Sequence, residues 1–388
     1  MGNESDDAHR RASASVPRLL FVMYYPERFG GAERFLWDVL RHLDRSRCAP
    51  SVVFLKDGPF VQEVAGLGIP TTVIRVGRYR NVLHNVASIA RLARFLRRER
   101  PDLIVNWTAE GQLFAGTAAA FVGMRRRVVW WNHAYEWLNP IVMRIPAVAI
   151  GCSSHAMMRG TRPRRRRQCF VVWPGVEEPS QRDPAEIARL RESLAIAADA
   201  AVLGLVGRMH PQKAQDRFVE ALALLRSDGH DVHGLIVGGT SHGIAPEYAR
   251  LVERRVRELG LESVVTFTGQ ISNVDPYLDL MNVFVNARAN EPFGIAIIEA
   301  MAHGVPVVAV RGEGPSEIIA AGRSGILADS NDPRALADAI EPLLVSGELR
   351  QHLAEGARER FRKHFTCERM ARELEDRLLA VAMDVRLA

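Results

Sequence analysis

The stretch LLFVMYYPERFGGAERFLWDVLRHL, residues 19–43, decides the fold. Its first six residues, Leu19 to Tyr24, form an unbroken apolar run of strand length, and Ala32 to Leu43 repeats apolar residues at helical spacing. Between them, Phe29-Gly30-Gly31-Ala32-Glu33 ends the strand and opens the helix. The same alternation continues outward. Strands are predicted at Ser51 to Leu55, Thr71 to Ile74, Leu103 to Asn106, Val128 to Trp131, Ala147 to Ile150 and Cys169 to Val172, with helical patterns such as Ala87 to Arg98 between them. Such an order predicts a parallel, doubly wound α/β sheet. Pro174 to Pro184 reads as a connection, and a second series follows. Its strands are expected at Val202 to Val206, Leu235 to Val237, Val264 to Thr268, Val283 to Asn286, Val307 to Val310 and Ile326 to Leu327, and residues 332–385 are helical in pattern. Two such domains facing one another would leave a cleft between the carboxyl ends of both sheets, where open α/β folds bind ligands.

Composition sets outer limits. With 388 residues, 47% hydrophobic and 25% charged, the chain is globular in type and long enough for two domains. Expected boundaries are a loose tail over 1–16, an N-terminal domain over 17–179, a C-terminal domain over 180–365, and a helix over 366–388 packing back on the N-terminal domain. Leu113 to Met124 is the longest weakly polar stretch and falls short of the roughly 18 residues of a membrane span. The first sixteen residues lack the apolar core of a secretory signal, which suggests a cytosolic protein. Cys48, Cys152, Cys169 and Cys367 follow no metal-ligand spacing, so reduced structural thiols and no metal site are expected. Charge is uneven: residues 1–179 hold 27 Lys and Arg against 15 Asp and Glu, and residues 180–388 hold 24 against 30. A basic half suits an anionic partner.

Three segments can carry chemistry. Gly30 and Gly31 allow close approach of backbone to a ligand at a helix start, which also suits phosphate, although paired glycines there are as readily structural. Gly207-Arg208-Met209-His210-Pro211-Gln212-Lys213 puts two cations on a loop after a strand, placed to meet one diphosphate; the plainer reading is a solvated pair. Glu291-Pro292-Phe293-Gly294-Ile295-Ala296-Ile297-Ile298-Glu299 is the most specific. Glu291 is expected on a loop and Glu299 within an apolar helix, on the order of 10 Å further along. That separation suits the two ends of a nucleotide sugar, with Glu299 on ribose hydroxyls, Glu291 on hexose hydroxyls, and the Phe293 and Gly294 amides between. A carboxylate in an apolar helix is costly without a partner.

These three segments, in this order, resemble the GT4-type glycosyltransferases of the GT-B fold over about residues 18–365. Trp173-Pro174-Gly175-Val176 resembles the family linker with its Asn missing, and Ser316-Glu317-Ile318-Ile319 with Gly322 and Gly325 resembles its late motif. The resemblance implies two Rossmann-like domains about a central cleft and a hexosyltransferase acting with retention and without metal. It implies no cofactor beyond the UDP- or GDP-sugar donor. Arg208 and Lys213 would stabilise the leaving diphosphate, Glu299 would bind ribose, Glu291 the sugar, and the Gly31 amide the phosphate or reacting region; Gly207 and Ile295 would line the donor site, and backbone near Gly269 and Gln270 would meet the base. His133, after a strand of the first domain, would face the donor sugar or the acceptor. Asn106 and Trp107 stand where relatives often have a His, and with Trp131 and Tyr135 are candidates for the acceptor pocket.

The acceptor expected is a hydroxyl of a glycan, a lipid-linked sugar or a small molecule. Arg91, Arg94, Arg97 and Arg98, with Leu92, Phe95 and Leu96 interleaved, and the clusters Arg125 to Arg127, Arg162 and Arg164 to Arg167, suit either a solvated surface or peripheral contact with an anionic membrane at its inner face. Nucleic acid is excluded as a partner because no zinc spacing, RNP-like pattern or helix-turn-helix accompanies the basic clusters. A non-catalytic scaffold subunit is the rival reading, opposed by the joint presence of Arg208, Lys213, Glu291 and Glu299. An epimerase on the same fold would need acid and base carboxylates in the cleft in another arrangement.

Overall fold

The structure, a computed structural model, describes residues 16–28, 30–78, 80–133, 139–161, 168–180, 182–240 and 246–387. The chain divides into two compact units. The first takes the chain up to Ser153, then Met157–Val172 and Met370–Ala388; the second takes Ser154–Ala156 and Trp173–Arg369.

The first unit is built on seven strands: β1 Arg18–Met23, β2 Ala49–Phe54, β3 Thr71–Val73, β4 Leu103–Asn106, β5 Val128–Asn132, β6 Ala149–Cys152 and β7 Gln168–Val171. They lie in the order β3-β2-β1-β4-β5-β6-β7, every pair parallel. Strands covered on both faces must be apolar throughout, and β4, β5 and β6 are buried at every position. The helix Gly31–His42 buries Phe35, Leu36, Val39 and Leu40 and turns Arg41 and His42 toward its C-terminal end, where cations complement the helix dipole. Leu113 to Met124 lies mostly in helix, a turn of π-helix over Gln112–Gly116 leading into Thr117–Phe121. From Met370 onward the last helix, Cys367–Leu387, belongs to this unit. There the buried Glu375 pairs with Arg47 at 2.8 Å and accepts from the Asp44 amide at 3.0 Å.

The second unit carries β8 Ala201–Val206, β9 Val232–Val237, β10 Val265–Phe267, β11 Val283–Asn286, β12 Val307–Val310 and β13 Ile326–Ala328. Their order is β10-β9-β8-β11-β12-β13, again all parallel. Both sheets therefore reverse direction of build once, at β1/β4 and at β8/β11. These are the topological switch points outside which α/β sheets open a crevice at their carboxyl ends. One difference from expectation is that the second unit starts at Trp173, seven residues before the expected 180. Val176 explains this: its amide donates to the Phe365 carbonyl at 2.9 Å and its carbonyl accepts from Cys367 at 3.2 Å, tying the connection into the second unit. None of the four cysteines forms a disulfide among the described residues. Burial pushes those of Cys48 and Cys152 up to about 12, which leaves both chemically quiet.

Candidate functional site

The second unit gathers its charged side chains at its switch point. Gly207 to Lys213 follows β8 and Arg288 to Gly294 follows β11, the two central neighbours of the sheet. Pro211–Lys213 form a single turn capped by His210, whose Nδ1 accepts from the Gln212 amide at 3.2 Å. That turn aims Lys213 across the switch point at Glu291, with Nζ 2.8 Å from Oε2. On the other side Arg288 approaches the Glu291 Oε1 at 3.5 Å. The Arg288 guanidinium is fixed by its own loop, donating to the Asn290 carbonyl at 3.0 Å, while its amide donates to the Asn286 side chain at 3.2 Å.

Glu291 is only 7% exposed. Burial pushes its pKa upward, but the charges of Lys213 and Arg288, with hydrogen bonds from Lys213 and Asn286, prevail and hold it below the ordinary carboxylate range. The neighbouring His210 is held below its usual value by burial and by the positive charges of Arg208, Arg288 and Lys213. One imidazole thus senses three cations, two of which, Lys213 and Arg288, face the Glu291 carboxylate. Arg208 itself is exposed, and its carbonyl accepts from the Gln215 amide group at 2.8 Å. Glu299 is buried in the helix Ile295–Ala302.

The loop between Glu291 and that helix needs glycine at one point. Gly294 sits at φ 115°, and a Cβ there would also come within 2.7 Å of Ile297. Phe293 is buried and packs on Phe365 at 6.2 Å, so only its backbone is available to a ligand. Gly269 and Gln270 lie on the loop after β10. Gly238 bridges Gly269, and a Cβ at Gly239 would sit 2.6 Å from the Gln270 amide. The loops after β8, β9 and β10 are therefore laid against one another by backbone, the Met209 amide donating to the Gly239 carbonyl at 3.0 Å, and the loop after β11 joins them through the Lys213–Glu291 pair.

In the first unit, Gly30 is the N-cap residue of the helix Gly31–His42 and has no side chain with which to cap it. A Cβ at Gly30 would run into the buried Glu33 carboxylate. A carboxylate thus already lies beside the helix start where a phosphate was expected, and the glycine is required for that packing. His133 follows β5, with its ring 5.6 Å from Phe35 and 5.1 Å from Trp107. Burial drives its pKa down to about 3 against a hydrogen bond with the Trp107 backbone, so the imidazole is neutral. Its Nε2 is buried with no hydrogen-bond partner among the described residues.

Three expected acceptor residues are core residues instead. Trp107 stacks on Trp131 at 5.2 Å and 11°, and its Nε1 donates to the Ala32 carbonyl at 2.9 Å. Asn106 donates to the Gln112 side chain at 2.8 Å, and all three are fully buried. Adjacent strand residues point to opposite faces, but helices cover both faces, so Trp130 and Trp131 are both interior. Tyr135, Arg162 and Arg164 to Arg167 lie outside the described residues. Arg288 was missed by sequence reasoning, although a basic residue just past a strand and three positions before Glu291 was a readable signal.

Two switch-point sheets in one chain, the second with a basic cluster and a buried carboxylate at its carboxyl end, define a GT-B glycosyltransferase architecture. Residues 29–178 match the model described as Glycosyltransferase Family 4, and residues 186–360 match Glycosyl transferases group 1. The chain belongs to this family of glycosyltransferases. It is 32% identical over 321 residues to a D-inositol 3-phosphate glycosyltransferase of Geodermatophilus obscurus, covering 80% of this chain and 69% of that one. The lipopolysaccharide core biosynthesis glycosyltransferase LpsE of Rhizobium meliloti is 26% identical over 337 residues, with 85% and 90% covered. Against the D-inositol 3-phosphate glycosyltransferase of a Nocardioides species the identity is 34% over 230 residues, 56% of this chain, and the match spans 50% of that relative's length. Among solved structures, Anabaena HepE in complex with UDP and glucose superposes with a TM-score of 0.83 at 23% identity, over 94% of this chain and 100% of that one. At that identity the likeness speaks for the fold.

Proposed function

We propose that this protein transfers a hexose from a UDP- or GDP-sugar to a hydroxyl acceptor, with retention of configuration and without a metal, in glycan, glycolipid or glycoside synthesis on the cytoplasmic side of a membrane. The observation that carries the reading is the cluster in which Lys213 and Arg288 converge on the buried Glu291, with Arg208 and His210 beside them. The negative charge that grows on a departing nucleoside diphosphate needs preorganised cations, and Arg208, Lys213 and Arg288 supply three. Lys213 has three N–H donors, so it can keep Glu291 and still take a phosphate oxygen. Arg288 holds Glu291 ionised in that event. Glu291, acceptor-only when ionised, would fix sugar hydroxyls; Glu299 would fix ribose hydroxyls, and the backbone at Gly269 and Gln270 would meet the base. His133, being neutral, would serve as a hydrogen-bond partner rather than a charged group.

Relatives support the substrate class: their names describe transfer to D-inositol 3-phosphate or into lipopolysaccharide core, and HepE has been captured with UDP-glucose. The test is calorimetric titration of UDP, GDP, ADP and TDP into the wild type, Lys213→Ala and Glu299→Ala. Micromolar binding of one nucleotide, weakened in both variants, supports the donor site. If the folded wild type binds none of the four, the transfer reading falls and the scaffold reading replaces it.

A further inference from the structure

The helix Val82–Glu99 of the first unit has a face that none of the described residues covers. Asn81 caps it, its Oδ1 accepting from the His84 amide at 3.2 Å. Its inner side buries Ser88, Leu92 and Leu96. Outward, Leu83, Val86, Ala90, Arg94 and Arg97 follow one another at steps of three and four, the spacing of a single helix face. Val82 is 65% exposed, Leu83 86% and Val86 58%. Exposed apolar side chains this large, grouped on one turn, mark a docking surface.

The charge around the patch identifies what docks. Between Glu63 and Glu99 the sequence has no Asp or Glu and seven Arg: 75, 78, 80, 91, 94, 97 and 98. Arg75 pairs with Asp57 and Arg98 with Glu99. Arg78, Arg80, Arg94 and Arg97 are exposed or half-buried and form no ion pair among the described residues. A protein partner would be matched by mixed charge or by a closed apolar groove. An apolar turn flanked by unpaired arginines on a helix lying along the surface is instead the pattern of an interfacial helix on an anionic bilayer.

Topology also places the patch. The helix enters from the loop after β3, so its apolar first turn lies at the carboxyl edge of the sheet, the edge from which Gly30 and His133 also emerge. β3 is four strands from β5, about 19 Å at the usual strand spacing.

We propose that this face, with Val82, Leu83 and Val86 entering the lipid and Arg78, Arg80, Arg94 and Arg97 on the headgroups, docks the protein on an anionic membrane. Docking stands independently of the transfer reading; its corollary, a lipid-borne acceptor, rests on that reading.

Co-sedimentation of the full chain with phosphatidylcholine vesicles, with and without 30% phosphatidylglycerol, tests the inference at about 0.1 M salt. The wild type should bind the anionic vesicles at least tenfold more tightly than the neutral ones. Leu83→Ser/Val86→Ser should lose at least tenfold on anionic vesicles, and Arg94→Gln/Arg97→Gln should lose most of the preference for them. Arg250→Gln/Arg257→Gln, which removes two exposed arginines of the second unit, should bind as wild type. All these side chains are solvent-facing, so the melting temperatures should stay together, and UDP or GDP titration of the same variants should be unchanged. If the wild type binds neither vesicle type, or if the arginine pair of the second unit matters as much as the pair on this helix, the proposal is overturned. A loss of nucleotide binding in the wild type would sink the donor site and leave the docking result standing.

Discussion

Raising the pH from 6 to 10 should cost the second unit about 3 kcal/mol through one side chain, His303. It follows the helix Ile295–Ala302 that carries Glu299, and its imidazole is 3% exposed. Nδ1 lies 2.6 Å from Asp279, and Nε2 lies 3.7 Å from Asp275. Arg182 joins the same two carboxylates at 2.6 and 3.0 Å, and Arg358 donates to the His303 carbonyl at 3.1 Å. Burial lowers the pKa of His303, but the hydrogen bonds and charges of Asp275 and Asp279 outweigh it and raise the value to about 9. The unfolded chain titrates at the ordinary value of about 6.5. Because the folded value is the higher one, the stabilisation is full below pH 6.5 and disappears as pH rises through 9. The difference converts to about 3 kcal/mol at pH 6, about 2 kcal/mol at pH 7.5 and almost nothing at pH 10. The assay is denaturant unfolding at pH 6, 7.5, 9 and 10 for the wild type and His303→Gln, read as the difference between them. A difference that stays flat across the series would refute the assignment of a charged His303.

Further outcomes follow from the charged cluster and the core. Lys213→Ala and Glu299→Ala should each lower sugar transfer at least tenfold with melting temperature preserved, measured by nucleotide release; wild-type turnover in either would remove the donor assignment. Arg288→Gln should raise the pKa of Glu291, moving the acid limb of kcat/KM to higher pH, while Arg288→Lys restores most of it. An unmoved limb in the Gln variant would show that Lys213 suffices. Trp107→Ala should destabilise the first unit by about 3–5 kcal/mol, the cost of removing a buried indole, without changing nucleotide affinity, as followed by urea unfolding and calorimetry.

Much of the fold was legible because parallel strands covered on both faces are written as apolar runs. β11 and β12 fall at the expected residues, Val283–Asn286 and Val307–Val310. β9 begins three residues earlier than expected, at Val232, because His233 looks polar in sequence but is satisfied inside the sheet by Thr266 at 2.8 Å. The helix expected from Ala87 starts at Val82, since its first turn owes its stability to the Asn81 cap rather than to a buried stripe. At the site, the residue types of Lys213 and Glu291 were readable, but their direct pairing joins positions 78 apart in the chain and depends on the β8/β11 neighbour relation. The tryptophans misled for a physical reason: an indole at a strand end suits a sugar platform and a core equally, and only the covering helices decide.

The return of the last helix to the first unit has a consequence for biosynthesis. Residues 370–387 complete a unit whose last strand ends at Val171, and they contribute the buried Glu375 that pairs with Arg47. A ribosome adding about 5–20 residues per second takes about 10 to 40 s to cross the intervening stretch. During that interval the nascent N-terminal half carries an unpaired Arg47 and an uncovered apolar flank, while the second unit can already close on itself. The half made first is therefore finished last, and a fragment stopped before Met370 should need a chaperone to stay in solution.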